Sequence, residues 1–324
     1  MITSTRFNFI SNIFVTMEFI GFLVYYLLFL YLIDRWQFFD DLLLKKRTLK
    51  LMFTLKVLSS FVLFIIYYFY YGNNRLESDA LRYFDDSIIL YQHLSSHFYS
   101  VVKIFFNIGN HYDLQQITSK MNFWTKAYNH GLINDNRIMI RVNFIFNLIT
   151  MGSFHINSLF MCFLSFLGLC GIFKTFQNKF KSNRIYLLFA CFLIPSVIFW
   201  GSSLLKESLL LFCLGILALN YRNKISTSSN KFTLLLLLVA FTILASLKVY
   251  VLVAILPCLI SFHFLLGMTS PRFWILKLAG IHFLLIIGLL NIPQLFLEYD
   301  FISIITAKQR DRKSTRLNSS HQII

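Results

Sequence analysis

Asp79, Tyr83 and Asp86 stand at i, i+4 and i+7, so a helix that begins near Ser78 sets them on one face. A carboxylate with a tyrosine to orient it suits abstraction of a proton from a hydroxyl, or a share in holding a divalent cation. Glu77 and Asp85 bring the count to four of the chain's 14 acidic residues between positions 77 and 86. Arg82 can pair with Asp86 from a neighbouring face. The simpler alternative is a solvated helix start, since acidic residues favour a first turn.

A second constellation is Pro195-Ser196-Val197-Ile198-Phe199-Trp200-Gly201-Ser202-Ser203-Leu204-Leu205-Lys206-Glu207-Ser208. One apolar run ends near Trp200 and the next starts at Ser202 or Ser203, whose hydroxyls are placed to cap it. A capped helix start carrying Lys206 can receive a phosphate through backbone donors and the ammonium. Glu207 is either a second carboxylate or the partner of Lys206. The competing reading makes the Trp and Lys interfacial anchors beside a turn. Arg137 and Arg141, at i and i+4, form a candidate phosphate clamp, and Lys248 and Tyr250 occupy a tight turn between two apolar segments. No Gly-rich phosphate loop, HExxH sequence, Cys/His metal cluster or nucleophile elbow is present. No cofactor is fixed by the sequence; a divalent cation, Mg or Mn, is the one candidate.

These residues are set in a chain that is 57% hydrophobic, 18% aromatic and 14% charged, with a mean hydropathy of +0.66. Its apolar runs reach the length that crosses a bilayer. The expected fold is all-α: a polytopic integral membrane bundle of about eight spans, near 13–33, 51–71, 154–173, 185–200, 203–221, 232–247, 249–267 and 273–290. The net charge of +16 does not point to nucleic acid, because the basic residues gather in short loops beside apolar runs. Loops 34–50, 174–184 and 222–231, with Arg272 and Lys277, make every second connection basic. That alternation places the N-terminus outside and leaves the long loop 72–153 extracytoplasmic. The loop should carry amphipathic helices on the membrane, one over 87–106 and an interfacial or re-entrant one over 138–152. Lys56 is read as snorkelling from an inner helix end. All five cysteines lie in apolar runs and read as buried hydrophobes.

The tail from Asp311 to His321 reads as a translated sequencing-library adapter. Residues 311–324 are therefore set aside, leaving 1–310 as a single membrane domain whose natural C-terminus is expected to continue further.

The stretches YYGNNRLESDALRYF, PSVIFWGSSLLKES and SLKVYVLVAILP, over about residues 50–265, resemble polytopic polysaccharide-assembly proteins, chiefly of Bacteroidota. That group comprises GT-C-like glycosyltransferases and relatives of EpsG and O-antigen polymerases. The resemblance implies a bacterial cytoplasmic-membrane enzyme that transfers or polymerises sugars from a polyprenyl-phosphate carrier to a glycan acceptor. It maps the acidic residue of an early outer loop onto Asp79. The basic residues that hold the lipid phosphate map onto Lys206 and, less closely, Arg137, Arg141 or Lys248. Glycines that precede the aspartate in that group are replaced here by NNRLES, which makes Glu77 a rival to Asp79. A transporter or flippase of lipid-linked glycans would bind the same lipid without turnover. A non-catalytic membrane protein would let Asp79 and Lys206 point apart.

Overall fold

The computed structural model describes residues 2–71, 78–108, 111–125, 134–226, 231–266 and 274–295. Glu77 and the tail 311–324 lie outside the described residues. Among the described residues there is helix and turn and no strand. The chain forms two compact units, Met1–Lys248 and Val249–Ile324.

Among the described residues of the first unit, three helices are long and apolar enough to cross a membrane. They are α1 (Ile2–Arg35), α3 (Lys46–Ile65, continued by π-helical turns over Ile66–Tyr71) and α8 (Phe154–Phe176). The short α2 (Gln37–Asp40) joins the first two. On α3 the side chains Leu51, Leu55, Leu58, Val62, Ile65 and Phe69 are exposed, at helical spacing. The opposite face, with Phe53, Val57, Ser60 and Leu63, is buried. An apolar outer stripe of this kind is what hydrocarbon would cover. In the second unit, α13 (Val249–Leu266) packs with α14 (Trp274–Leu295).

The expected span 185–200 is broken. It consists of α9 (Arg184–Leu188), π-helical turns over Phe189–Leu193, and α10 (Pro195–Trp200). Ile194 is extended at φ −64°, ψ 120°, because the residue before a proline is driven out of helical conformation. Residues 201–205 form a non-helical turn, and α11 (Lys206–Ser226) starts only at Lys206. α12 (Lys231–Leu247) follows, packed on α11.

α8 and α11 touch backbone to backbone. A Cβ on Gly168 would lie 2.2 Å from the Leu211 carbonyl oxygen, and one on Gly215 would lie 2.1 Å from that of Gly168. Small residues permit this approach between apolar helices, where dispersion contacts replace the hydrophobic drive. Gly168→Ala should therefore lower the melting temperature in detergent sharply, because no rotamer relieves a clash with backbone. Gly280→Ala, where a Cβ meets nothing within 4 Å, should leave it unchanged.

The loop between α3 and α8 is folded onto the bundle. It contains α4 (Asp79–His93), α5 (Phe98–Phe106), α6 (His111–Thr118) and α7 (Asp135–Thr150). The single helix expected over 87–106 is interrupted at Leu94–His97, where Ser95 and Ser96 favour a turn over helix. Leu81, Leu90, Ile104, Leu114, Trp124, Ile140, Phe154 and Leu205 belong to one apolar cluster, so helices of the loop share a core with α8 and the start of α11. A fully buried asparagine chain ties α4, α7 and α8 together. Asn147 donates to Ser87 at 2.9 Å, Asn157 donates to Asn147 at 2.7 Å, and Thr150 donates to Asn157 at 2.5 Å. Buried amides fixed at both ends specify register, since leaving one unpaired costs about 1–3 kcal/mol.

At the far end of α8 the basic loop 34–50 is partly neutralised by its own acids. Lys46 pairs with Asp40, Lys50 with Asp34, and Lys174 with Asp41. The Lys174 ammonium holds the Asp41 carboxyl below its usual range. Two of the basic connections thus meet at one end of the bundle, opposite the end that carries α4 and α7.

Candidate functional site

α4 and α7 lie side by side, and each presents its N-terminal turn to the same region. Ser78 caps α4, accepting from the Leu81 N–H at 3.3 Å. Asp79 is the first helical residue and is exposed. Asn134 caps α7 by accepting from the Asn136 N–H, and its amide also donates to the Phe123 and Trp124 carbonyls. These caps fix where Asp79, Asp135 and Asn136 emerge.

Tyr83 lies at the centre. It is 1% exposed, and its hydroxyl donates to Asn136 Oδ1 at 3.1 Å. Lys206 arrives from α11 with its ammonium 2.6 Å from Asp135 Oδ2, 2.7 Å from Asn136 Oδ1, and 5.4 Å from the centre of the Tyr83 ring. Burial first, and then the carboxylates of Asp79, Asp135 and Glu207, push the Tyr83 phenol far above its ordinary value. That direction keeps the phenol protonated, in line with its hydrogen bond to Asn136. Lys206 lies over the Tyr83 ring, and Asp79 stands one turn before Tyr83 at the start of α4. Glu207, next along α11, pairs with Lys248 at 2.5 Å. Tyr250 lies in the first turn of α13 in the second unit, and its side chain is outside the described set.

Three expected roles need correction. Asp86 shares a helix face with Asp79 but is wholly buried. Its carboxylate accepts from the backbone N–H groups of Asn122 and Phe123, each at 2.7 Å, and from the Asn122 side-chain amide. Burial raises its pKa against the pull of those donors. Asp86 clamps the segment 121–125, and Arg82 stacks over Phe123 at 5.3 Å. Ser203, expected to cap a helix and receive substrate, is fully buried, and its hydroxyl meets no partner among the described residues. The turn is closed instead by Ser208 Oγ donating to the Ser203 carbonyl at 2.7 Å. Lys206, expected to hold a phosphate, is already engaged by Asp135.

The residues that the sequence reading passed over are Asp135, Asn136 and Trp124. The polar run Asn134-Asp135-Asn136 ahead of an apolar segment is a helix-start signal. It does not reveal that Lys206, 71 positions away, would close on it.

The arginine pair sits beside this centre. Arg137 and Arg141 lie over the Trp124 ring, at 4.9 and 5.6 Å from its centre. Arg137 donates through Nε to the Trp124 carbonyl and through Nη1 to Asn107 Oδ1, each at 2.8 Å. Asn107 can reach it because it ends α5 in the left-handed conformation, at φ 58°. Arg141 Nε is shielded from solvent and has no acceptor among the described residues. Among the described residues neither arginine has a carboxylate partner. Burial lowers both pKa values, and the charge of Arg137 lowers that of Arg141 further. Two half-buried like charges on one indole create a local demand for an anion.

Among the described residues no group of three His, Cys, Asp or Glu side chains is placed to hold a metal ion. Asp135 and Glu207 are each tied to a lysine and Asp86 to backbone amides. Comparison of the chain with family models, with curated proteins and with solved structures finds no match.

Proposed function

We propose that this protein is a glycosyltransferase or glycan polymerase of a bacterial cytoplasmic membrane, acting on polyprenyl-phosphate-linked sugars. In this reading α4–α7 lie on the extracytoplasmic side, as the alternation of basic loops favours. The observation that carries the reading is the Arg137–Arg141 pair on Trp124, with a buried donor on Arg141 and no carboxylate among the described residues to balance it. A lipid phosphate supplies the missing acceptors and charge, and guanidinium suits phosphate better than ammonium does.

Asp79 is the exposed carboxylate at the same end of the bundle. In the proposed step the acceptor hydroxyl oxygen bonds to the anomeric carbon as the bond from that carbon to the lipid phosphate breaks. The proton passes to Asp79, and the electron pair leaves with the phosphate, whose charge the arginines hold. Lys206, Asn136 and Tyr83 stiffen the wall between the two.

The test is farnesyl diphosphate binding by the purified full chain in nanodiscs. Arg141→Gln should weaken binding about tenfold or more, the loss expected of one charge-assisted contact. Equal affinity in the two proteins would remove the arginine pair from the site. A lipid-linked sugar that binds at this site without releasing lipid phosphate would favour the transport reading.

A further inference from the structure

Lys56 lies well inside the apolar stretch Lys46–Tyr70 of α3, yet it is 3% exposed and does not snorkel to a helix end. Its ammonium makes one hydrogen bond, to the Val197 carbonyl at 3.4 Å, and has no ion pair among the described residues. Val197 belongs to α10, which packs on α3. A Cβ on Gly201 would stand 2.9 Å from Lys56 Nζ, so the ammonium fills the space beneath the turn that a side chain at 201 would need. Cys162 closes another side. Its thiol donates to the Ser202 carbonyl at 2.9 Å and lies 3.8 Å from the Lys56 carbonyl. Ser202 and Ser203 above are fully buried. Non-helical backbone at membrane depth survives only where protein groups satisfy it, and a lysine there is retained for the partner it serves.

We propose that Lys56 is a positioning residue: from beneath the turn its ammonium holds the carbonyl end of α10 and the Gly201–Leu205 backbone, and so sets where Lys206 enters the site. Only the purpose of Lys206 rests on the function proposed above; the hold on the turn does not. Two charged side chains on different helices are thereby linked through one buried turn, with Lys56 below and Lys206 at its exit.

The experiment is peptide-resolved alkylation of the purified full chain in detergent by N-ethylmaleimide. Cys162 reports on the turn, while Cys170 and Cys213, both fully buried, report on global unfolding. Lys56→Met should speed Cys162 labelling by about tenfold or more, as expected when one charge-assisted bond holding a local opening is lost. Cys170 and Cys213 should stay protected. Acylation of Lys206 by an N-hydroxysuccinimide ester should rise in the same variant, which a lysine that merely fills space would not cause. Lys56→Gln, which keeps an N–H donor, should give a smaller increase. Wild-type labelling of Cys162 and Lys206 in a folded variant overturns the proposal. So does exposure of all three thiols together in both variants, which would make Lys56 a general stability determinant. Farnesyl diphosphate binding measured in parallel separates the two ideas: selective loss of Cys162 protection with no diphosphate binding by the wild type supports the hold and removes the phosphate reading alone.

Discussion

Replacing Asp79 by Asn is expected to reduce glycan transfer by about 10²–10⁴-fold, the usual worth of a positioned general base. The change is nearly isosteric and falls on an exposed side chain at the first position of α4, with the Ser78 cap unaltered. An acid in a first turn contributes only about 0.3–1 kcal/mol to its helix, so protein level should hold. The measurement is the amount and chain length of surface polysaccharide in cells that carry the full-length gene, normalised to the protein in the membrane. Normal glycan at normal protein level would remove Asp79 from the chemistry. Glu77→Gln, made beside it, decides between the two acids that the substituted glycines leave in competition. Asp86→Asn should behave differently from both. It would unsettle the segment 121–125, and with it Phe123 beneath Tyr83 and Trp124 beneath the arginines.

The long apolar helices were legible because hydrocarbon imposes length and composition directly on sequence, as the exposed stripe from Leu51 to Phe69 on α3 illustrates. Helix spacing also set Asp79 and Tyr83 one turn apart on α4, but it did not say which side chain would close over the phenol, which is Lys206. Asp86 shows the limit. Spacing of i+7 assigns a face correctly, but what covers that face is decided by residues 36 and 37 positions away. Lys56 shows a second limit. From sequence it is a lysine near the end of an apolar run; its burial depends on the glycine at 201 and on the proline that breaks the facing segment. The Ser202–Ser203 pair failed as a cap for the same reason, because Pro195 starts a helix too short to run on. What determines α11 is the close glycine contact with α8, and helical periodicity carries no record of which glycines face one another.

Lys206→Met is expected to destabilise the protein by ~3–5 kcal/mol, because it leaves Asp135 as a buried carboxylate without its cation. Side-chain exposures of 14% for Lys206 and 13% for Asp135 leave little water to take the place of the lost ammonium. Asn136 Oδ1 would keep only the Tyr83 hydroxyl. The double variant Lys206→Met/Asp135→Asn removes both charges and should recover most of that loss, since replacing a whole buried pair is often nearly neutral. Thermal melts in detergent read this part. The two effects separate in the glycan assay. If the pair only braces α7 against α11, the double variant makes normal polysaccharide. If Lys206 sets the wall on which the acceptor meets Asp79, the double variant folds and stays inactive, and this is the expected result. The reason is electrostatic as well as steric. Burial and then three carboxylates raise the Tyr83 phenol, and Lys206 is the cation set over its ring. A neutral Met–Asn pair keeps the net charge but takes the cation off that ring and a donor off Asn136, so activity should fall while the fold persists.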